Sequence, residues 1–271
     1  MNDERRQYLM RIRLEKILIL GTQILVLILF LGLWEYGANA GLIDSFITSS
    51  PSRILNTFAN FSSNNLLEHI KVTVYETFVG FTLGTIMGFI IAIILWWSKF
   101  IAKVSEPYLV ILNSLPKVAL GPIIIIWVGA GTGAIIVMAI AISLIVTILD
   151  ILNGFLNTDK DLIKMATTFN ATKTQILTKI IIPANISTFI NSLKISIGLS
   201  LVGVISGEFL ISKAGLGYLI TYGGQVFKLD LVMSSVIILG IVAGLMYLSV
   251  LLLEKLIFMK KGLRKWQEEI F

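Results

Sequence analysis

The chain has 271 residues, of which 56% are hydrophobic and only 14% charged, with a formal net charge of +6. About 25% charged residues is usual for a soluble domain, so this composition excludes an ordinary water-soluble protein. The absence of cysteine excludes disulfides and thiolate metal sites, and the single histidine, His69, leaves no cluster for zinc or for a histidine base. We expect neither a metal site nor a bound cofactor.

Six apolar runs are long enough to cross a hydrocarbon core of about 30 Å, which takes roughly 17–25 helical residues. They lie near Ile17–Trp34, Val74–Trp97, Pro107–Val128, Gly133–Leu152, Ile195–Ile211 and Leu231–Leu253. The runs are rich in Leu, Ile and Gly and lack the alternation of strands, which favours helices over a barrel. We therefore predict an all-α integral membrane protein with about six transmembrane helices.

The basic residues cluster on one side of these predicted spans. Segments 1–16, 98–106, 153–194 and 254–271 together hold 17 of the 22 lysines and arginines. The positive-inside rule places such segments in the cytoplasm, so we expect both termini there. The charge then reports topology, and a nucleic-acid partner is not expected. The predicted organisation is a cytoplasmic N-terminal segment (1–16), one transmembrane domain (17–258) and a cytoplasmic basic tail (259–271).

The first apolar run could also be read as a signal peptide, because Ala38-Asn39-Ala40 resembles a cleavage site. The run is longer than the usual apolar region of about 7–15 residues, and Trp34-Glu35-Tyr36 follows it as an interfacial belt, so retention in the membrane is favoured. Residues 37–72 are polar and rich in turns. They predict an external loop with a short surface helix over Arg53–Phe61.

In the second span, Gly80, Gly84 and Gly88 recur every four residues. This spacing lets helix backbones approach closely inside a membrane. Two interpretations are open, packing within the helix bundle or an interface between subunits. Glu76, near the outer start of this span, is expected at the membrane interface, and His69 is expected in a loop.

The third span contains Pro116 and Pro122, with Pro107 at its start, and interior prolines kink a helix. The polar side chains beside this predicted break are Asn113, Ser114 and Lys117. An uncompensated lysine in a membrane costs about 2.5–3.5 kcal/mol, so Lys117 should face protein or water. It could reach the cytoplasmic surface along its own stem, or it could line a translocation path.

Between the fourth and fifth spans, residues 153–194 are polar, basic and compatible with helix. Asn157-Thr158-Asp159 is a helix-start signal, and Pro183 closes the run. Apolar residues recur at three- and four-residue spacings on a polar background, which predicts a pair of amphipathic helices at the cytoplasmic face. Their apolar stripe must meet membrane, bundle or a partner.

This segment resembles a loop shared by permease subunits of type I ABC importers. The family loop reads Glu-Ala-Ala, then Gly six residues after the Glu, Ile ten residues further on, and Leu-Pro just beyond. Ala166, Ile180 and Pro183 match it, whereas Lys164, Met165 and Asn170 replace the Glu, the first Ala and the Gly. Asn is the next-best residue after Gly in a left-handed turn, so the turn should be preserved.

Further segments are similar to permeases of the nitrate/sulfonate/taurine group, whose relatives include transporters of thiamine-pyrimidine precursors. They are Phe46–Ser52, Ser105–Gly129, Gly203–Phe209 and Ala214–Tyr218. The resemblance covers about residues 15–258. It implies a homodimer of this chain, two ABC ATP-binding subunits and an extracytoplasmic solute-binding protein in the cell membrane. ATPase activity then lies on a separate subunit, and this chain is not expected to be an enzyme.

The resemblance also implies roles for particular residues. The residues of the coupling loop, which would dock onto the ATPase, are Lys164, Met165, Ala166, Asn170, Ile180 and Pro183. The candidates for the solute pathway or its gate are Asn113, Ser114, Pro116, Lys117, Pro122 and Glu208. Glu208 is either a structural group, hydrogen-bonded within the bundle or to the Ala214–Tyr218 loop, or part of an outer gate. Lys117 leans toward an anionic solute such as a sulfonate, and a heteroaromatic vitamin precursor fits equally well.

Two other functions compete. A stand-alone secondary transporter would place several ionisable groups at the membrane midplane and carry repeats in its two halves, and no convincing repeat is visible. A membrane-embedded enzyme or scaffold would need acid, base or metal groups, for which the sequence offers little material. A permease subunit of an ABC importer is the favoured interpretation.

Overall fold

The computed structural model describes residues 3–59 and 65–260, and the side chains of residues 10–59 and 65–259. Within these ranges the chain forms helices and no strand, which confirms the all-α prediction. The helices are α1 (Asp3–Asn39), α2 (Ser45–Thr48), α3 (Pro51–Ala59), α4 (Leu66–Trp97), α5 (Lys99–Ser114), α6 (Gly121–Val128), α7 (Thr132–Leu156), α8 (Lys160–Thr168), α9 (Lys173–Ile176), α10 (Ile182–Ala184), α11 (Ile186–Ile211), α12 (Leu216–Gln225) and α13 (Leu229–Lys260).

Five of these helices are long and apolar enough to cross a membrane, namely α1 from Met10 onward, α4, α7, α11 and α13. A sixth span is formed if α5 and the helical stretch Lys117–Val128 are counted together, because they are joined with a bend of 91°. The count of about six spans is thus confirmed. The third span begins at Lys99 rather than near Pro107, and the fifth begins at Ile186 rather than near Ile195.

The third span breaks differently from the prediction of interior prolines. Pro107 lies inside α5, Pro116 precedes a short 3-10 turn over Lys117–Leu120, and Pro122 occupies the first turn of α6. A proline in a first helical turn costs no hydrogen bond, because its missing N–H would have had no partner there. The bend therefore falls between two helices, and Pro116 and Pro122 start the second half instead of kinking one continuous helix.

Residues 65–222 and 235–260 form one compact unit around α4, α7 and α11. The glycine series of α4 faces α7 directly. A Cβ added to Gly80 would lie 2.6 Å from the Cβ of Ala139, and one added to Gly84 would lie 2.7 Å from Oγ of Ser143. Of the two interpretations of this series, packing within the bundle is therefore confirmed.

The fifth span brings a charged residue into this unit. Lys194, expected in the loop before that span, lies inside α11, and its ammonium is 2.7 Å from the Glu254 carboxylate of α13. Both side chains are 17% exposed. A paired lysine is far less costly in a membrane than an isolated one, which explains how α11 can extend nine residues beyond the predicted apolar run.

Residues 3–59 and Gly223–Ser234 form a second compact unit. Here Arg53 of α3 donates to the Asp230 carboxylate at 2.8 Å, and Glu35 of α1 accepts hydrogen bonds from the amide and hydroxyl of Ser52. The predicted surface helix begins at Pro51 and is described to Ala59, so its predicted end at Phe61 lies outside the described residues. So do the first two residues of segment 1–16 and residues 261–271 of the basic tail. The assignment of 17–258 to a single domain stays a prediction.

Candidate functional site

The segment between α7 and α11 is a chain of short helices whose ends are closed by local hydrogen bonds. Asp159 caps α8 by accepting from the Asp161 amide at 2.8 Å, and Thr172 and Gln175 form a reciprocal capping box on α9. Between them α8 ends in a left-handed residue, Asn170, at φ 53°. The Ala171 amide bonds the carbonyl of Ala166 at 3.0 Å, as a Schellman motif requires. The predicted left-handed turn at Asn170 is confirmed.

These helices lie with one face against the ends of α4 and α7. Ala166, Ile176, Leu177 and Ile181 are buried in a cluster that also contains Phe155. Of the predicted coupling residues, Ala166 is buried and Ile180 half-buried, whereas Lys164, Met165, Asn170 and Pro183 are exposed. Of the three surfaces that the apolar stripe could contact, namely membrane, bundle or a partner, the structure shows contact with the bundle.

Two large apolar side chains at the end of α8 are exposed in the described chain. Phe169 is 79% exposed and Met165 is 52% exposed. They are four residues apart, so they lie on the same side of the helix. Exposed apolar side chains at this position can contact either the membrane or a partner protein.

One anchor of this segment was missed by sequence reasoning. The ammonium of Lys173 donates to the carbonyl of Trp97, the last residue of α4, and lies 5.9 Å from the ring centroid of Trp96. The bond caps a helix C-terminus, where a cation is favourable. A tryptophan pair at the end of a span beside a basic loop is the signal that could have indicated it.

At the break of the third span, two of the three polar candidates contact each other. The Lys117 ammonium lies 3.3 Å from both the carbonyl and the side-chain oxygen of Asn113, and Ser114 donates to the Val110 carbonyl at 2.9 Å. Pro116 and Pro122 flank the turn that holds Lys117. Five of the six pathway candidates, already close together in the chain, thus lie at this break.

Glu208, the sixth candidate, lies in a different cluster. Its carboxylate accepts from the Thr73 hydroxyl of α4 at 2.7 Å and from the Gly217 amide at 2.5 Å, at the N-terminus of α12. Gly215 has φ +113°, and a Cβ there would lie 2.2 Å from the carboxylate. The turn is thus wrapped around Glu208, and the predicted bond between Glu208 and the Ala214–Tyr218 turn is confirmed. Whether Glu208 also gates a path stays a prediction.

Two further residues belong to this cluster. Glu76 is 1% exposed, so its side chain is enclosed by the protein, and its position at the membrane interface stays a prediction. His69 lies in α4 rather than in a loop, accepts the Gly215 amide on Nδ1 at 2.9 Å, and stacks on Tyr218. His69, Thr73 and Glu76 are spaced by four and three residues, so they share one face of α4. That spacing was the available signal.

A polar groove of about 510 Å³ runs between the end of α7 and the start of α11. Its lining residues are Asp150, Asn153, Gly154, Asn157, Asn185, Thr188, Asn191, Ser192 and Ile195. Oδ2 of Asp150 and Oγ of Ser192 are buried there without a hydrogen-bond partner. A lining of polar side chains suits a groove that contacts water or a polar solute. Against lipid, the loss of hydrogen bonds by these side chains would cost free energy. Sequence reasoning did not single out this groove.

The family model for the inner membrane component of binding-protein-dependent transport systems matches residues 80–260, which is more than half of the chain. The chain belongs to this family of transport permeases. A probable ABC transporter permease protein of Haemophilus influenzae is 31% identical over 243 residues, covering 89% of this chain and 96% of the relative. The putative aliphatic sulfonates transport permease SsuC of Bacillus subtilis is 26% identical, covering 83% and 82%.

Among solved structures, an inward-facing form of the MetNI methionine ABC transporter matches with a TM-score of 0.62 and 20% identity. The match covers 68% of this chain and 92% of the solved chain. At this identity the likeness concerns the fold alone. Together with the family match and the membrane-spanning helices, it identifies a multi-pass permease subunit of an ABC importer.

Proposed function

We propose that this permease moves a small solute inward by alternating access, driven by ATP hydrolysis on two separate subunits that dock on α8. The observation that carries the proposal is the exposed pair Met165 and Phe169 at the end of a helix that is anchored to α4 and α7 through the buried Ala166. A helix held in this way can transmit a push from a docked protein to the spans, because packed helices move as rigid bodies.

The remaining parts of the assembly are proposed on the basis of family membership. A second copy of the permease would complete the solute path, and an extracytoplasmic solute-binding protein would deliver the solute. The docking of ATPase subunits on α8 requires the segment 157–185 and both termini to lie in the cytoplasm, which agrees with the bias of basic residues. ATP chemistry is then assigned to the partner subunits.

The solute is proposed to be a small polar molecule, either an anion of the sulfonate, nitrate or taurine type or a molecule resembling a vitamin precursor. Lys117 at the break of the third span would attract an anion. The groove beside Asp150 offers amide and hydroxyl groups that can bond many polar solutes. Selection among solutes is proposed to rest mainly with the solute-binding protein.

The coupling part is tested by co-purifying the permease with the ATPase subunit encoded beside it. The variant Phe169→Asp should reduce recovery of the ATPase at least about tenfold, as expected for an apolar anchor at a buried contact. Thr178→Asp, exposed on the next helical segment, is the matched control and should leave recovery unchanged. Equal recovery with both variants would contradict docking on α8.

The topology is tested separately with single cysteines introduced at Thr168 and Lys179, since the chain has no cysteine of its own. A membrane-impermeant thiol reagent added to intact cells should leave both unlabelled and should label them in inverted vesicles. Labelling in intact cells would place the segment outside and overturn the whole proposal. Uptake that persists without the ATPase would instead support a stand-alone secondary transporter.

A further inference from the structure

Two carboxyl groups meet inside the unit formed by α4, α7 and α11. Glu76 of α4 and Glu208 of α11 are each 1% exposed, and they rank among the largest side chains that are completely buried. Thr73, three residues before Glu76 and on the same face of α4, donates to Glu208 at 2.7 Å, so the two carboxyl groups lie on the same side of α4, where they interact. Two negative charges in such a place repel strongly, because neither water nor salt screens them.

The hydrogen-bond partners of the two groups differ sharply. Glu208 accepts from the Thr73 hydroxyl and the Gly217 amide, so each of its oxygens has a donor. Such bonds stabilise a carboxylate. Both oxygens of Glu76 are buried without any hydrogen-bond partner, and the side chains that interact with them are those of Thr132 and Glu208.

No positive side chain is recorded against this pair in the described part of the chain. The titratable neighbours are His69 and Glu68 on α4 and Tyr218 on α12. Nδ1 of His69 accepts the Gly215 amide, so that nitrogen carries no proton and the ring is neutral. Glu68 is exposed and adds only negative charge. The charge of a second carboxylate is therefore not compensated by the surrounding side chains.

We propose that Glu76 and Glu208 form a proton-binding site that holds one proton between the two carboxyl groups. Glu76 carries the proton and donates its O–H to the Glu208 carboxylate, which keeps the single negative charge facing Thr73 and Gly217. This arrangement gives the unpartnered Glu76 the hydrogen bond that it lacks. It also leaves one charge, at the N-terminus of α12, where a negative charge is favourable.

A metal cation fits the site less well than a proton does. Hard cations take about six oxygen ligands, and among the described residues no group of three or more acidic, histidine or cysteine side chains could hold a metal. The Thr73 hydroxyl already donates to Glu208 and accepts the Leu216 amide at 2.8 Å, so it has little capacity left.

The bound proton would join three parts of the permease. Through Glu76 it ties α4 to α11, and through Glu208 it holds the turn before α12, whose Gly215 packs on the carboxylate. Loss of the proton would set two charges against each other and weaken this junction. The inference concerns the permease itself and does not depend on which solute is carried or on docking at α8.

The first test is infrared spectroscopy of the purified full-length permease near neutral pH. Wild type should show the carbonyl-stretch band of a neutral carboxylic acid, and Glu76→Gln should lose that band. Glu208→Gln serves if the first variant does not fold, and it should also change the band. Glu68→Gln and Asp150→Asn are the controls and should keep it. A wild-type spectrum without the band, or a band that persists in Glu76→Gln, would overturn the proposal.

The second test follows stability against pH. The folded site binds one proton more than the unfolded chain does, so above the ordinary titration range of glutamate the unfolding equilibrium constant should rise about tenfold per pH unit until the site loses its proton. Glu76→Gln should remove this slope and Glu68→Gln should retain it. A slope that survives in Glu76→Gln, or that sodium ions abolish in wild type, would contradict a proton site, and the latter result would indicate a cation.

Discussion

The ammonium of Lys173 lies 5.3 Å from the ring centroid of Trp97 and donates a hydrogen bond to the carbonyl of the same residue. Lys173 is the first residue of α9, and Trp97 is the last residue of α4. This contact ties the segment between α7 and α11 to the end of the second span. The segment is thus held to the spans by a polar contact at Lys173 as well as by the apolar contacts around Ala166.

Removing the Lys173 contact should make the segment between α7 and α11 less stable without unfolding the spans. In Lys173→Met, loss of the ring contact alone should cost about 1 kcal/mol, since it is partly exposed. We expect faster protease cleavage within residues 159–185 and slower solute uptake at equal protein level. Lys179→Met, exposed on the following helical turn, is the control. Unchanged cleavage in Lys173→Met would show that the apolar contacts hold the segment alone.

Asn170 should tolerate glycine and reject branched residues. Its φ of 53° suits glycine, so Asn170→Gly should preserve thermal stability. Asn170→Val should lower stability by about 1–2 kcal/mol, the cost of a left-handed conformation for a residue with a Cβ. Thermal unfolding of the purified permease measures both. If valine is as stable as glycine, the turn before α9 must differ from the one described.

The glycine series of α4 should respond strongly to a single methyl group. In Gly84→Ala the new Cβ would meet Oγ of Ser143 at 2.7 Å, so α4 and α7 must separate or Ser143 must move. Overpacking of this kind costs about 1–3 kcal/mol. The amount of monodisperse protein in detergent should fall. Gly244→Ala, with no atom within 4 Å of its Cβ, is the control, and similar losses in both would argue against close packing here.

Gly215 should be intolerant of alanine for two independent reasons. Its φ of +113° is unfavourable for any residue with a Cβ, and that Cβ would lie 2.2 Å from Oε1 of Glu208. Gly215→Ala should therefore displace the carboxylate from the Gly217 amide and reduce stability by about 1–3 kcal/mol.

The readouts for Gly215→Ala are unfolding temperature and solute uptake. Gly224→Ala, which introduces no contact within 4 Å, should leave both unchanged. A fully stable Gly215→Ala variant with normal uptake would show that the turn does not depend on its close contact with the Glu208 carboxylate. A stable variant with impaired uptake would support a gating role for Glu208.

Several features of the permease could be predicted because they depend on residues close together in the chain. The apolar runs, the excess of basic residues on one side, the amphipathic pattern around Ala166 and the left-handed turn at Asn170 are all local properties. The ends of the helices were harder to predict from the sequence. The apolar run of the fifth span begins at Ile195, whereas α11 begins at Ile186. The helix can include Lys194 because this residue pairs with Glu254, which lies far away in the chain.

The buried polar contacts could not be predicted from the chain. Glu76 reads as an interfacial residue because a carboxylate near the start of an apolar run usually lies at the membrane surface. Its burial is decided by Glu208, more than 130 residues away, and by a turn that only the packing of α4 against α11 brings near. The contact of Lys173 with Trp96 and Trp97 likewise joins residues that are far apart in the chain.

The amino-acid sequence by itself determined that this protein spans a membrane with about six helices and that it carries an amphipathic segment of the kind found in ABC importer permeases. Hydropathy, charge bias and helix signals are sums over neighbouring residues, so no folding is needed to read them. The tertiary structure alone decided which polar groups are buried together, because hydrogen bonds and charge pairs join residues by distance in space. The junction of Glu76 and Glu208 exists only once three helices have packed.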